Sequence, residues 1–149
     1  MNPVRFACLA SVVALAALAQ NAPAPQHQAP SSGYAALVKD AKTRIKEINV
    51  DEYKKLSTSG DKVLLVDVRE DSEWTDGHAA SAVHMSKGVI EREIESKVPK
   101  KDAKVVLYCG GGSRSALAAD ALQKMGYTNI FSLDGGFTAY KKAGLPTEK

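Results

Sequence analysis

Cys109 stands at the end of an apolar run, residues 105–108, and is followed by Gly110, Gly111, Gly112, Ser113, Arg114 and Ser115. A thiol is a poor nucleophile and its thiolate a good one, so the chemistry turns on what would hold a negative charge on this sulfur. Three successive glycines let consecutive backbone N–H groups turn toward one point as an anion nest. Ser113 opens a stretch with helical periodicity, whose N-terminus adds a positive dipole end, and Arg114 adds a full charge. All of these favour a thiolate. The plainer alternative is a small buried cysteine that closes a strand. A nucleotide loop fits poorly: G-x-G-x-x-G fails at Ser115, and the phosphate-loop pattern lacks its Gly-Lys pair.

A second charged cluster, Asp67-Val68-Arg69 followed by Glu70, ends another apolar run, residues 62–68. Arg69 could lend its charge to the pocket or brace the loop through Asp67, and a solvated ion pair at a turn is the competing reading. His78 and His84 have no accompanying partner pattern and are read as structural. Trp74 is read as a packing residue. Three scattered histidines and one mature cysteine do not make a protein-only metal site.

The elements that would position these groups follow from periodicity. Tyr34, Leu37, Val38, Ala41 and Ile45 have amphipathic helical spacing. Ile45, Ile48 and Val50 suit a short strand, with Asp51 as N-cap of a helix through Leu56. Residues 62–68 are β-branched and aliphatic without alternation, the pattern of a strand buried on both faces in a parallel sheet. A turn of helix at 71–74, a short strand at 82–84, and a helix through Val89, Ile90, Ile94 and Val98 come next. After the glycines, Leu117, Ala118, Ala121, Leu122 and Met125 form a helical stripe with Gly126 as its C′ residue. Residues 130–133 make a last strand, and Gly135-Gly136 turn into a helix that buries Phe137 and Tyr140. Alternating strands and helices give an α/β fold with a mainly parallel five-stranded sheet flanked by helices on both faces. In such sheets ligands sit beyond the carboxyl ends of the strands, where Cys109 lies.

The 149 residues carry a net charge of +3 with no basic block, which gives no support to nucleic-acid binding. The N-terminus reads as an export signal over residues 1–19: Arg5, a short apolar stretch from Phe6 to Leu18, and an Ala17-Leu18-Ala19 cleavage signal. The stretch is too short to span a bilayer, which takes about 20 residues. Residues 20–33, with Pro23, Pro25 and Pro30, read as a linker, and residues 34–149 as the folded domain. Cleavage would remove Cys8 and leave Cys109 as the lone thiol of an exported chain, periplasmic or secreted and free of the membrane. An unpaired cysteine there is one to suspect of reactivity.

Asp67-Val68-Arg69, Glu73-Trp74 with Gly77-His78, Cys109-Gly-Gly-Gly-Ser-Arg-Ser, and Leu133-Asp-Gly-Gly-Phe with Tyr140 and Gly144-Leu-Pro together resemble the single-domain rhodanese family of sulfurtransferases, over about residues 45–146. The resemblance implies that Cys109 takes sulfane sulfur from a small anionic donor such as thiosulfate. The sulfur then passes from a persulfide to cyanide, a small thiol or a redox protein thiol. It further implies that Gly110, Gly111, Gly112, Ser113, Arg114, Ser115 and Arg69 bind substrate, that Asp67 supports them, and that no cofactor is needed. Two other readings stay open: a non-catalytic sulfane-sulfur carrier, and a phosphatase or arsenate reductase on the same fold. The related phosphatases use Cys-x5-Arg, whereas Cys109 to Arg114 is Cys-x4-Arg. Two departures from the family pattern carry expectations. Residues 77–82 lack the usual Ile-Pro-Gly, which predicts a looser turn. The loop also lacks an internal cation, which predicts weak thiosulfate binding with Arg114 and Arg69 as the anion contacts.

Overall fold

The structure, a computed structural model, describes residues 33–149. The expected export signal and nearly all of the linker fall outside the described residues. Gly33, assigned to the linker, already opens helix α1 (Gly33–Lys42).

Five strands form one sheet: β1 (Lys46–Ile48), β2 (Val63–Asp67), β4 (Val83–His84), β5 (Lys104–Tyr108) and β6 (Ile130–Leu133). Their order is β1-β6-β5-β2-β4 and every pairing is parallel. The sheet is therefore the parallel one that the unbroken apolar runs predict. Successive residues of a strand point to opposite faces, so each central strand feeds two cores. Val66, Val105 and Leu107 face Ile90 and Ile94 of α4 (Ile90–Lys97) and Ala118 and Leu122 of α5 (Ser113–Lys124). Leu65, Val106 and Tyr108 face the other way, onto Phe137 and Tyr140 of α6 (Gly136–Lys142), with Tyr53 and Leu56 of α2 (Val50–Thr58) packed alongside. Helices thus cover both faces.

Register brings the chemistry-bearing strand ends level. Asp67 lies beside Tyr108 across the β2–β5 ladder, so the chain leaves both strands at one edge. Helix α1 is tied to α5 by Arg44, whose Nε donates to Asp120 Oδ1 at 2.8 Å. That interaction, with Lys124, brings the Asp120 carboxyl down to about 2.

Three local expectations are corrected. Helix α2 is capped by Asn49, not Asp51, and Val50 belongs to the helix rather than to a strand. Asn49 Oδ1 accepts from the Glu52 N–H at 2.9 Å and Glu52 Oε2 from the Asn49 N–H at 2.8 Å, a closed capping box. The turn at 77–82 is pinned rather than loose. Helix α3 (Asp71–Thr75) leads into β3 (His78–Ala79), which pairs antiparallel with β7 (Thr147–Glu148). The Ala79 N–H donates to the Tyr108 hydroxyl at 3.1 Å, and the Ala80 N–H to the Pro146 carbonyl at 2.9 Å. Ser81, where the family pattern has glycine, takes φ +66, the one positive φ at a non-glycine among the described residues.

Candidate active site

The chain leaves β5 at Cys109 and folds back over its own sulfur. Sγ accepts from the Gly112 N–H at 3.2 Å, and the Ser115 hydroxyl lies 3.7 Å away. Burial alone would push the thiol up, since Cys109 is only 2% exposed. The Ser115 N–H and hydroxyl, with the N–H groups of Gly111 and Gly112, outweigh that burial and bring the thiol below its ordinary range. Donors aimed at the sulfur do most to stabilise the thiolate, and the Arg114 charge acts in the same direction.

Ser115 is itself positioned. Its hydroxyl donates to the Gly112 carbonyl at 3.1 Å and accepts from Ser132 on β6 at 2.9 Å, and both serines are fully buried. A hydroxyl has one proton to give. A charged sulfur competes for it better than a carbonyl does, so ionising Cys109 draws the Ser115 proton toward Sγ. Ser132 keeps the Ser115 oxygen in place while this happens.

The loop's carbonyls are turned the other way and held by the start of α6. The Phe137 N–H donates to the Cys109 carbonyl at 2.7 Å, and the Thr138 N–H and hydroxyl to the Gly110 carbonyl at 3.2 and 3.0 Å. This approach needs Gly136, at φ +52: a Cβ there would overlap the Cys109 carbonyl oxygen and lie 2.9 Å from the Gly110 carbonyl carbon. Gly112, at φ +101, gives the backward turn that aims its N–H at the sulfur. Gly111 is exposed at the crown of the loop, Gly110 is half-buried, and Ser113 is the first residue of α5.

The two arginines have other partners. The Arg114 guanidinium grips Glu73 of α3 with two parallel bonds, Nη1 to Oε2 at 2.6 Å and Nη2 to Oε1 at 2.8 Å, and Glu70 lies 3.7 Å off. This holds the Glu73 carboxyl below its usual range. Arg69 is buried. It donates to both Asp67 oxygens and, at 2.8 Å, to the Gly77 carbonyl, and lies 4.2 Å over the Phe137 ring. Of the two roles open to Arg69, the geometry is that of the brace, with Asp67 as its anchor. These bonds use Nε and Nη2, so an anion contact by Arg69 would be made through Nη1.

Trp74 stacks on His78 at 3.4 Å and His84 at 5.0 Å between ring centroids, as packing. Among the described residues, no three His, Cys, Asp or Glu side chains come together as a metal-binding group.

Sequence reasoning did not single out Ser132, Gly136, Thr138 or the clamping role of Glu73. Ser132 had a signal, as the lone polar residue in the apolar run 130–133. Gly135-Gly136 was visible as a turn, but its tight contact with a loop 27 positions upstream follows only from the tertiary fold.

The Rhodanese-like domain family model matches residues 49–143. An Allochromatium vinosum protein named sulfurtransferase is 33% identical over 102 residues, covering 68% of this chain and 94% of that protein. An uncharacterized Synechocystis protein is 40% identical over 90 residues, 60% of this chain, which spans only 49% of that relative's length. Among solved structures, a Rhodopseudomonas palustris protein of unknown function, described as a possible tyrosine phosphatase, is 32% identical with a TM-score of 0.68. The match covers 79% of this chain and 96% of that one. Five parallel strands, a thiol cradled at the edge of their sheet, and these likenesses agree: the chain belongs to the rhodanese-like family.

Proposed function

We propose that this protein is a rhodanese-type sulfurtransferase that works through a Cys109 persulfide. In the first step the Cys109 thiolate attacks the outer sulfur of a sulfane donor. A new S–S bond forms on Sγ, the donor's S–S bond breaks, and the remainder leaves with the electron pair, as sulfite when the donor is thiosulfate. In the second step a thiolate or cyanide attacks the outer sulfur, and the Cys109 thiolate is regenerated. The N–H groups of Gly111, Gly112 and Ser115 hold charge at the sulfur in both steps. The observation that carries this reading is a buried thiol whose neighbouring donors favour the anion despite burial.

A single assay tests it. The protein incubated with a sulfane donor should gain about 32 Da, one sulfur atom, on Cys109. Cyanide should remove the gain, and Cys109→Ala should never acquire it. An adduct that no acceptor removes would instead mark a sulfur carrier. The likeness to a protein described as a possible phosphatase gives a second reading. It predicts phosphate release from an aryl phosphate with no sulfur adduct; the Cys-x4-Arg loop, one residue shorter than the phosphatase pattern, argues against it.

We also read residues 1–19 as an export signal. The N-terminal residue of protein recovered from the producing cell checks this, with Gln20 expected.

A further inference from the structure

Arg114 is the one cation in the loop of residues 109–115, and it does not act as a free charge. Its two parallel bonds to Glu73 leave the guanidinium matched by one full carboxylate, and Glu70 adds a second at 3.7 Å. Both members of the pair stand against the loop itself: Arg114 Nη2 lies 3.6 Å and Glu73 Oε1 3.8 Å from where a Gly110 Cβ would be. Helix α3 carries Asp71, Glu73 and the flanking Glu70 and Asp76, with no base among them. Lys141 lies over the Phe137 ring and lines a recess with Asp76, Glu148 and Lys149. Two carboxylates against one guanidinium leave this side of the loop with a net negative formal charge, beside a sulfur that must itself be an anion to react.

A free dianion approaching Cys109 is therefore repelled by the group it must react with and by the charges around it. A sulfane sulfur flanked by a cation meets the opposite field. We propose that Glu73, with Glu70, sets the donor class: Cys109 takes sulfur from a persulfide carried beside a cationic group, in preference to a free dianion such as thiosulfate. This rests on the sulfurtransferase reading above. Glu73 acts through Arg114 and through its own charge, as a positioning residue. The step balances as before: the Sγ–S bond forms, the donor's S–S bond breaks, and the donor's thiolate leaves.

The test compares sulfur loading of Cys109 from thiosulfate and from cysteamine persulfide, whose ammonium stands two carbons from the sulfur, at one ionic strength. Glu73→Gln keeps the size of the side chain and an oxygen for the Glu70 N–H while removing the charge. It should speed loading from thiosulfate about five- to tenfold and slow loading from cysteamine persulfide, so that the ratio of the two moves by about tenfold or more. Glu73→Asp should restore the wild-type ratio in part. In Glu73→Gln/Arg114→Ala the gain with thiosulfate should vanish, because no cation is left to release. A merely structural loss would slow both donors together and leave the ratio alone. An unchanged ratio in Glu73→Gln, with both donors loading, overturns this inference and spares the sulfurtransferase reading. No loading of the wild-type protein from either donor overturns both.

Discussion

The ends of β2 and β5 lie side by side, yet charge is used in opposite ways at each. After β2, Arg69 and Asp67 are paired: Nε and Nη2 of the guanidinium go to the carboxylate and to the Gly77 carbonyl, and both side chains are buried. After β5, N–H groups converge on a single sulfur that carries no charge until it ionises. The first end is electrostatically closed and serves as scaffold; the second is left with donors in excess and is where an anion can form. Formal charge nearby therefore says little about where chemistry occurs. Unmatched donors say more.

That contrast can be broken at either end. The largest effect is expected from Arg69→Leu, which leaves Asp67 buried without its partner. Losing one member of a buried ion pair costs about 3–5 kcal/mol, read as a lower denaturant midpoint. Asp67→Asn/Arg69→Leu should recover part of the loss, since the stranded charge is gone. Next comes Gly136→Ala, whose methyl group would displace the Cys109 and Gly110 carbonyls and so re-aim the donors at the sulfur. Sulfur transfer should fall by about a hundredfold, the usual penalty for a misplacement near 1 Å.

Ser115→Ala takes one donor from the sulfur and also removes the oxygen that Ser132 donates to. It removes one hydrogen bond to the thiolate, so the alkylation midpoint of Cys109 should rise and the rate at pH 7 fall by about three- to tenfold. The sign for stability follows. The folded thiol titrates below its unfolded value near 9.0. The stability this contributes is complete above that value and is lost as pH falls through the folded value. Wild type should thus gain stability over Cys109→Ala between neutral pH and about 9, and Ser115→Ala should shrink the gain. The smallest change is expected remote from both strand ends, at Ser81→Gly. Relieving a serine held at φ +66 should stabilise the fold by about 0.5–1 kcal/mol without altering sulfur transfer.

Much of this architecture is legible in the chain because parallel strands buried on both faces leave unbroken apolar runs. Residues 62–68 and 105–108 place both central strands, and the thiol at a strand end follows from them. The Cys109 loop could be read because its glycines are contiguous. Asn49 and Asp51 are equally good capping types two residues apart, and only the reciprocal bonds with Glu52 decide between them. Strands β3 and β7 are two residues each, and their partners lie 68 and 70 positions apart, too short for a period to show. The partners of Arg69 and Arg114 needed coordinates for a different reason. Sequence shows that a cation is present, whereas its availability depends on which carboxylate the fold brings to it, and Glu73 arrives from 41 residues away.

The central claim is that the converging N–H groups at Cys109 serve a transferable sulfur. Intact-protein mass measurement after incubation with a persulfide donor tests it most directly. The account predicts a gain of about 32 Da that maps to Cys109, disappears on adding cyanide or a thiol, and is absent from Cys109→Ala. A protein that stays at its original mass with every sulfane donor, while Cys109 still reacts with an alkylating agent, would contradict it.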